Sequence, residues 1–228
     1  MIIPNLYLPL SRTRTLREPS NYLGKASSPP VYPTQNLQRL LKMLSGISNP
    51  HVLDLGRLSG PNIEWLIQRG LKIYVDDRIT SLEPVPHSTT SLKNEKKKLP
   101  PAPLDPLDYD PSFFHAVLCW DLFDYLVVKQ AQELIADIAR ILRPKGLFLA
   151  FFNFNHSSPP PPVRYRILRA DQLEYEPLSL NPLSRRIYEN REIQELFSGF
   201  DTVNSCFLKN QVREVLVQGR SSSVSVIA

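Results

Sequence analysis

The feature that most constrains this chain is the alternation of short apolar runs with stretches of helical spacing through its first two thirds. The apolar runs have the length and composition of buried strands, and the stretches between them place apolar residues three and four positions apart. Strands that alternate with helices form parallel sheets with helices packed on both faces. The sequence therefore predicts a doubly wound α/β sheet.

The individual elements follow from the same periodicity. Strands are predicted over 51–56, 71–75, 113–119, 147–152, 200–207 and 211–218. Helices are predicted from an N-cap at Thr34 to a stop at Gly46, and over 61–70, 130–142 and 191–197. The last two strands are separated only by a turn at Lys209 and Asn210, so they should form a terminal antiparallel hairpin. Alternating residues over 163–178 predict a hairpin or an extended insertion.

Proline outnumbers glycine by 22 to 8, which reverses the usual ranking. Most of the prolines fall in clusters that mark loops, at 29–33, 84–86, 100–111 and 159–162. The early prolines exclude a long helix or a central strand near the start of the chain. The organisation that we predict is an extended N-terminal arm at 1–33, one domain at 34–220 with a loop at 78–112 and an insertion at 157–183, and a flexible tail at 221–228.

Composition excludes several classes of protein. With 42% hydrophobic residues in 228, the chain can bury its own core. No apolar run reaches the roughly 20 residues of a membrane helix and no secretory leader is present, so we expect a cytoplasmic location without membrane contact. Cys119 and Cys206 are too few for a disulfide framework, and both lie in apolar stretches that predict core residues.

The charge pattern and the missing motifs narrow the function further. A net charge of +5 permits an anionic partner, but the lysine run at 93–98 is typical of an exposed loop, so nucleic acid is not the expected partner. No group of residues has metal-ligand spacing, so no metal is predicted, and neither a Walker motif nor a serine elbow is present. The sequence does not indicate an oligomeric state.

Sheets of this kind bind ligands beyond the carboxyl ends of their strands. The segments that follow the predicted strands are 54–60, 76–77, 105–108 and 119–121. A glycine turn such as the first lets the backbone approach a ligand closely, and a carboxylate after the second strand can accept hydrogen bonds from both hydroxyls of a ribose. These segments are therefore the candidate site.

Val52–Gly56 followed by Gly60 resembles the first motif of the class I S-adenosylmethionine-dependent methyltransferases, an acidic residue followed by spaced glycines. Asp77 lies seventeen residues after Gly60, where the acidic residue of that family binds the ribose. The segments 114–119 and 142–149 are similar to the fourth strand of the family and to the Leu-Arg-Pro-Gly-Gly segment before its fifth. The resemblance covers about 45–218 and implies a seven-stranded, Rossmann-like methyltransferase fold.

The resemblance also implies the cofactor and its contacts. The residues expected to bind S-adenosylmethionine are Asp54, Gly56, Gly60, Asp76, Asp77, Asp105, Cys119 and Trp120. Asp76 is the alternative to Asp77 if the register shifts by one, and Asp108 is the alternative to Asp105 at the adenine. Trp120 and Asp121 follow the fourth strand, where the adenine or the methyl acceptor should lie. His156 follows the fifth strand and is the candidate general base.

The expected function is methyl transfer from S-adenosylmethionine to a small-molecule acceptor, in which the protein mainly positions the reactants. Leu58 stands where the family has its middle glycine. This departure keeps open a second hypothesis, a non-catalytic binding or scaffold protein with the same fold. An NAD-dependent oxidoreductase ranks last, because 56–60 is not a Gly-x-Gly-x-x-Gly turn.

Overall fold

A computed structural model of the chain describes residues 29–82, 103–154, 163–178 and 185–220. The elements in chain order are β1 (Val31–Pro33), α1 (Asn36–Leu44), β2 (His51–Asp54), α2 (Gly60–Ile67), β3 (Lys72–Val75), α3 (Arg78–Ser81), β4 (Phe114–Trp120), a 3₁₀ helix (Leu122–Tyr125), α4 (Val128–Ile141), β5 (Leu142–Asn153), β6 (Val163–Arg169), β7 (Gln172–Pro177), α5 (Asn190–Leu196), β8 (Phe200–Phe207) and β9 (Val212–Gly219). Within the described residues, no helix has the length and apolar character to cross a membrane.

The main sheet has the strand order β3-β2-β4-β5-β9-β8. Strands β3, β2, β4 and β5 are parallel, and β9 is antiparallel to both of its neighbours. This arrangement confirms the predicted α/β class with a mostly parallel sheet and a terminal antiparallel hairpin. Six strands of this sheet lie in the described ranges, so the seventh remains a prediction.

A second sheet, with the order β1-β7-β6, packs beside the first. Its β6–β7 hairpin confirms the hairpin expected over 163–178. Strand β1 was not expected, because Val31–Pro33 belongs to the predicted N-terminal arm. It pairs with β7 on one side only, and an edge position is where a strand tolerates proline.

The two faces of the main sheet carry separate apolar clusters. Val117 and Cys119 of β4 belong to one cluster, together with residues of α4 and α5. Leu118 and Trp120 belong to the other, together with residues of α1, α2 and the three-stranded sheet. Alternate residues of a strand point to opposite faces. The three-stranded sheet therefore covers the face on which Trp120 lies.

A residue of the distant strand β9 stabilises the first turn of helix α1. Thr34 caps the helix as predicted, because its hydroxyl oxygen accepts a hydrogen bond from the amide of Leu37 at 3.4 Å, whereas the side chain of Gln35 makes no capping bond. Glu214 of β9, which is completely buried, accepts hydrogen bonds from the amides of Gln35 and Asn36 at 3.0 and 2.9 Å. A carboxylate at a helix N-terminus satisfies open amides and interacts favourably with the helix dipole.

Candidate functional site

Three strand ends meet at the carboxyl edge of the main sheet. Asp54 closes β2, Trp120 closes β4, and Asp76 and Asp77 follow β3. The amide of Asp76 donates to the carbonyl oxygen of Asp54 at 2.9 Å, which fixes the ends of β2 and β3 to each other. The structure thus brings these four predicted site residues together, as the parallel topology requires.

The Asp54 carboxylate is buried and bonded within the protein. Its Oδ1 atom accepts hydrogen bonds from the amide of Gly56 at 2.9 Å and from Nε1 of Trp120 at 2.7 Å. Burial raises the pKa of Asp54 from 3.8 to about 6, although both hydrogen bonds favour the charged form. The group predicted to face the cofactor therefore has an indole as its partner.

Gly56 and Gly60 have different surroundings. A Cβ atom placed on Gly56 would lie 2.2 Å from Cδ1 of Trp120, a distance that no side chain can adopt. A Cβ atom on Gly60 would meet nothing within 4 Å. The Trp120 ring thus occupies the space where a side chain at position 56 would lie. The corresponding space beside Gly60 is empty.

Trp120 points into the site from a strained backbone. Its φ angle is 49°, in the left-handed region that residues other than glycine seldom adopt. The indole stacks on Tyr165 of β6 with ring centres 5.4 Å apart, and it meets the edge of Phe151 at 5.6 Å. Only 3% of Trp120 is exposed. The residue expected to touch adenine or acceptor is therefore enclosed by the protein itself.

The carboxylates after β3 also have partners. Asp77 accepts hydrogen bonds from the amide and hydroxyl of Thr80, both at 2.9 Å, and from the amide of Leu58 at 3.1 Å. It acts as the N-cap of α3 and holds the glycine turn. Asp76 pairs with Arg78 at 2.6 Å. These contacts tie the predicted ribose-binding segment to its own surroundings.

Arg78 links β3 to the segment predicted to hold adenine. Its guanidinium donates to the carbonyl oxygens of Asp105 and Pro106 at 2.5 and 3.3 Å. The side chain of Asp105 is exposed, and so is that of Asp108, its predicted alternative. Contact of either residue with adenine stays a prediction.

Cys119 lies on the opposite face of β4 from Trp120, inside the apolar cluster under α4. It is fully buried, which confirms the prediction of a core residue. Burial raises the pKa of its thiol well above the usual value, and the nearby carboxylates of Asp121 and Asp54 add to this effect. Its predicted contact with the cofactor is not tested.

A buried ionic cluster lies beyond the end of β4. Arg185 donates to the Asp121 carboxylate at 2.7 Å and lies 3.8 Å from that of Asp124. The hydroxyl of Tyr125 donates to Asp121 at 3.2 Å. Burial raises the pKa of both aspartates, while Arg185 acts in the opposite direction. The cluster belongs to the edge where an acceptor was expected.

Sequence reasoning found Asp121 but missed Asp124 and Arg185. Asp121 directly before the 3₁₀ helix and Asp124 within it both lie among apolar residues, which is a local sign of a buried charge that needs a partner. The partner lies more than sixty residues later along the chain, where no local pattern marks it. His156, the predicted general base, lies outside the described residues.

The space enclosed by these side chains is small. A cavity of about 10 Å³ lies among Gly56, Trp120, Asp121 and Tyr165. A space of this size holds about one water molecule, whereas pockets for small molecules measure roughly 300 to 1,000 Å³. A larger hollow of about 480 Å³ lies on the outer side of the turn 58–61.

Residues 53–150 match the family model described as a methyltransferase domain. This match agrees with the resemblance to the class I S-adenosylmethionine-dependent methyltransferases over that range. It spans β2 to β5 and includes the glycine turn and Trp120. A comparison with curated protein sequences gave no match.

Solved structures of methyltransferases are among those to which this chain is similar. A 1,6-didemethyltoxoflavin-N1-methyltransferase from Burkholderia thailandensis is 16% identical, with a TM-score of 0.47 over 82% of this chain and 78% of its own. An S-adenosylmethionine-dependent methyltransferase from Mesorhizobium loti is 14% identical, with a TM-score of 0.49 over 79% and 95%. Likeness at this level says nothing about the ligand of this chain.

The methyltransferase family implies S-adenosylmethionine as the cofactor, and the residue types expected for it are present. Asp54, the turn after it and Asp77 meet at one edge of the sheet, as such a ligand needs. The part of the site beside Gly56 does not fit it, because the Trp120 ring fills that space and leaves only about 10 Å³ among the described residues. The cofactor does not fit beside Gly56 in the conformation described.

Proposed function

We propose that the chain is an S-adenosylmethionine-dependent methyltransferase with a small-molecule acceptor. The observation that carries the proposal is the meeting of Asp54, the turn 56–60 and Asp77 at the carboxyl edge of the parallel sheet, inside the range that matches the methyltransferase domain. The turn is held at Leu58 by Asp77 and at Gly56 by Asp54. Its position relative to the sheet is thus fixed from both sides.

The acceptor side supports a small molecule as substrate. The cluster of Asp121, Tyr125 and Arg185 is enclosed, and the side chain of Arg185 is only 7% exposed. A buried, directional set of charges of this kind suits a compact polar ligand better than an extended polymer, which needs an open and positively charged groove.

A second candidate is a non-catalytic protein that keeps the fold as a binding or scaffold module. The filled space beside Gly56 favours it. Leu58, in place of the middle glycine of the family motif, favours it as well. This candidate predicts a stable fold with no affinity for the cofactor.

Isothermal titration with S-adenosylmethionine and S-adenosylhomocysteine separates the two candidates. For the enzyme we expect saturable binding that Asp77→Ala weakens at least tenfold, or about 1.4 kcal/mol. Asp171→Ala removes an exposed carboxylate at the β6–β7 turn and is the matched control, for which affinity should not change. Absence of heat and of a thermal shift at millimolar ligand would sink the enzyme and favour the non-catalytic protein.

A further inference from the structure

We infer that Trp120 is an internal plug. Its side chain occupies the part of the site where the cofactor would bind, and the cofactor binds only when this side chain moves out. The inference rests on the proposed function and adds to it the residue that determines cofactor affinity. The site contains the residue types that the cofactor needs, but the space beside Gly56 is too small for the cofactor. The inference explains this disagreement.

The plug is held from three directions. Asp54 accepts the indole N–H at 2.7 Å, Tyr165 stacks on the ring with an angle of 9° between the planes, and Phe151 packs against the ring at 81°. These contacts hold Trp120 in a backbone conformation that is costly for a residue with a side chain. Strain of this kind persists only where the surroundings impose it, and it is typical of functional sites.

Strand β6, which carries Tyr165, is fixed to α2, the helix that follows the glycine turn. The amide nitrogen of Asn62, on α2, donates to the carbonyl oxygen of Tyr165 at 2.7 Å. The amide oxygen of Asn62 accepts from the backbone N–H of Ile167 at 2.8 Å. Asn62 therefore holds β6 against α2, so that the stacked pair of Trp120 and Tyr165 stays over Gly56.

Leu58 does not close the site. The residue is 56% exposed and does not line the cavity, although it is the visible departure from the family motif. Closure beside Gly56 is thus a property of Trp120.

The test is titration of S-adenosylhomocysteine into wild type, Trp120→Ala and Trp65→Phe, each checked for folding by circular dichroism. Trp65 is the second of the two tryptophans and lies half-buried on α2, where Arg69 covers its ring. We expect Trp120→Ala to bind at least tenfold more tightly than wild type, while Trp65→Phe binds as wild type does.

The other outcomes discriminate between the plug and the proposed function. Wild type and Trp120→Ala binding equally well would overturn the plug and leave the methyltransferase standing. If neither protein binds, both proposals fall.

A second readout does not depend on the stability of Trp120→Ala. In Trp65→Phe, fluorescence reports Trp120 alone, and displacement of the plug by saturating S-adenosylhomocysteine should shift its emission towards that of an exposed indole. Saturable binding without any change in this emission would overturn the plug.

Discussion

Gly56 and Gly60 lie in the same turn, the one that resembles the methyltransferase motif, yet their surroundings differ. Gly56 provides the room for an indole ring, and Gly60 has open space around it. A glycine motif defined by ligand contact would predict similar effects of substitution at both positions. The packing predicts that only one of them is needed for stability.

We expect Gly56→Ala to lower the free energy of unfolding by about 1 to 3 kcal/mol, because the added methyl group collides with a ring that is held on three sides. Gly60→Ala should change it by less than about 0.5 kcal/mol. Urea denaturation of the two variants measures the difference. Equal losses would mean that Trp120 does not lie against Gly56.

Asp54 makes stability depend on pH. Its pKa rises from 3.8 in the unfolded chain to about 6 in the folded protein, so the folded state holds the proton more tightly. The stability that this proton binding contributes is fully present below pH 3.8 and is lost as pH rises through about 6. Above that range the buried Asp54 carboxylate is ionised in the folded protein.

Asp54→Asn keeps an oxygen acceptor for Gly56 and Trp120 but cannot ionise. We expect the free energy of unfolding of this variant, relative to wild type, to increase between pH 4 and pH 7 by up to roughly 3 kcal/mol. Urea denaturation across this range measures it, with Asp171→Asn as an exposed control. Parallel profiles for wild type and Asp54→Asn would contradict the raised pKa.

At the scale of elements, helix α1 depends on a residue far along the chain. Glu214 satisfies two of the amides at its first turn from within the core. Helix α5 is capped locally instead, since Glu192 accepts from the amide of Glu189 at 2.9 Å on the surface. The two helices allow the same interaction to be compared in buried and exposed surroundings.

We expect Glu214→Ala to destabilise the protein by about 3 kcal/mol, because two amide groups lose their acceptor away from water. Glu192→Ala should cost clearly less, because water can take the place of an exposed capping carboxylate. Thermal and urea denaturation of both variants provide the comparison. If Glu214→Ala lowers the stability no more than Glu192→Ala does, water has replaced the Glu214 carboxylate as the acceptor for the two amides.

Sequence reasoning located most elements because their signals are local. The apolar run at 51–56 and the helical stripe at 130–142 identify β2 and α4 within a few residues, since periodicity belongs to a single segment. The contribution of Glu214 to the start of α1 could not be predicted in this way, because Glu214 and Asn36 are 178 residues apart.

The candidate site was predicted in composition but not in arrangement. Asp54 and Asp77 were expected at the sheet edge, and the strand order places them there. The inward position of Trp120 depends on a φ angle of 49° and on a Tyr165 ring brought over it by another sheet. Neither feature has a local sequence pattern.

At the scale of the whole molecule, the three-stranded sheet is continuous with the main core. Tyr165 and Leu173 share an apolar cluster with Leu37 of α1 and Leu66 of α2. Trp120 lies within the same cluster. The fold should therefore unfold as one cooperative unit.

Trp65→Phe tests this cooperativity, because it leaves Trp120 as the only tryptophan. We expect its fluorescence and the far-ultraviolet circular dichroism to change at the same urea concentration. A fluorescence midpoint at clearly lower urea would mean that the three-stranded sheet detaches before the main sheet unfolds.

Strand β1 has a consequence for the order in which the molecule is completed. Val31 pairs with Glu174, so about 140 residues separate the partners. At synthesis rates of about 5 to 20 residues per second, the ribosome needs roughly 7 to 30 s after making the first strand to make the second. During that interval β1 lacks its pairing strand, and the three-stranded sheet is assembled only after the core strands β2, β4 and β5 have been made.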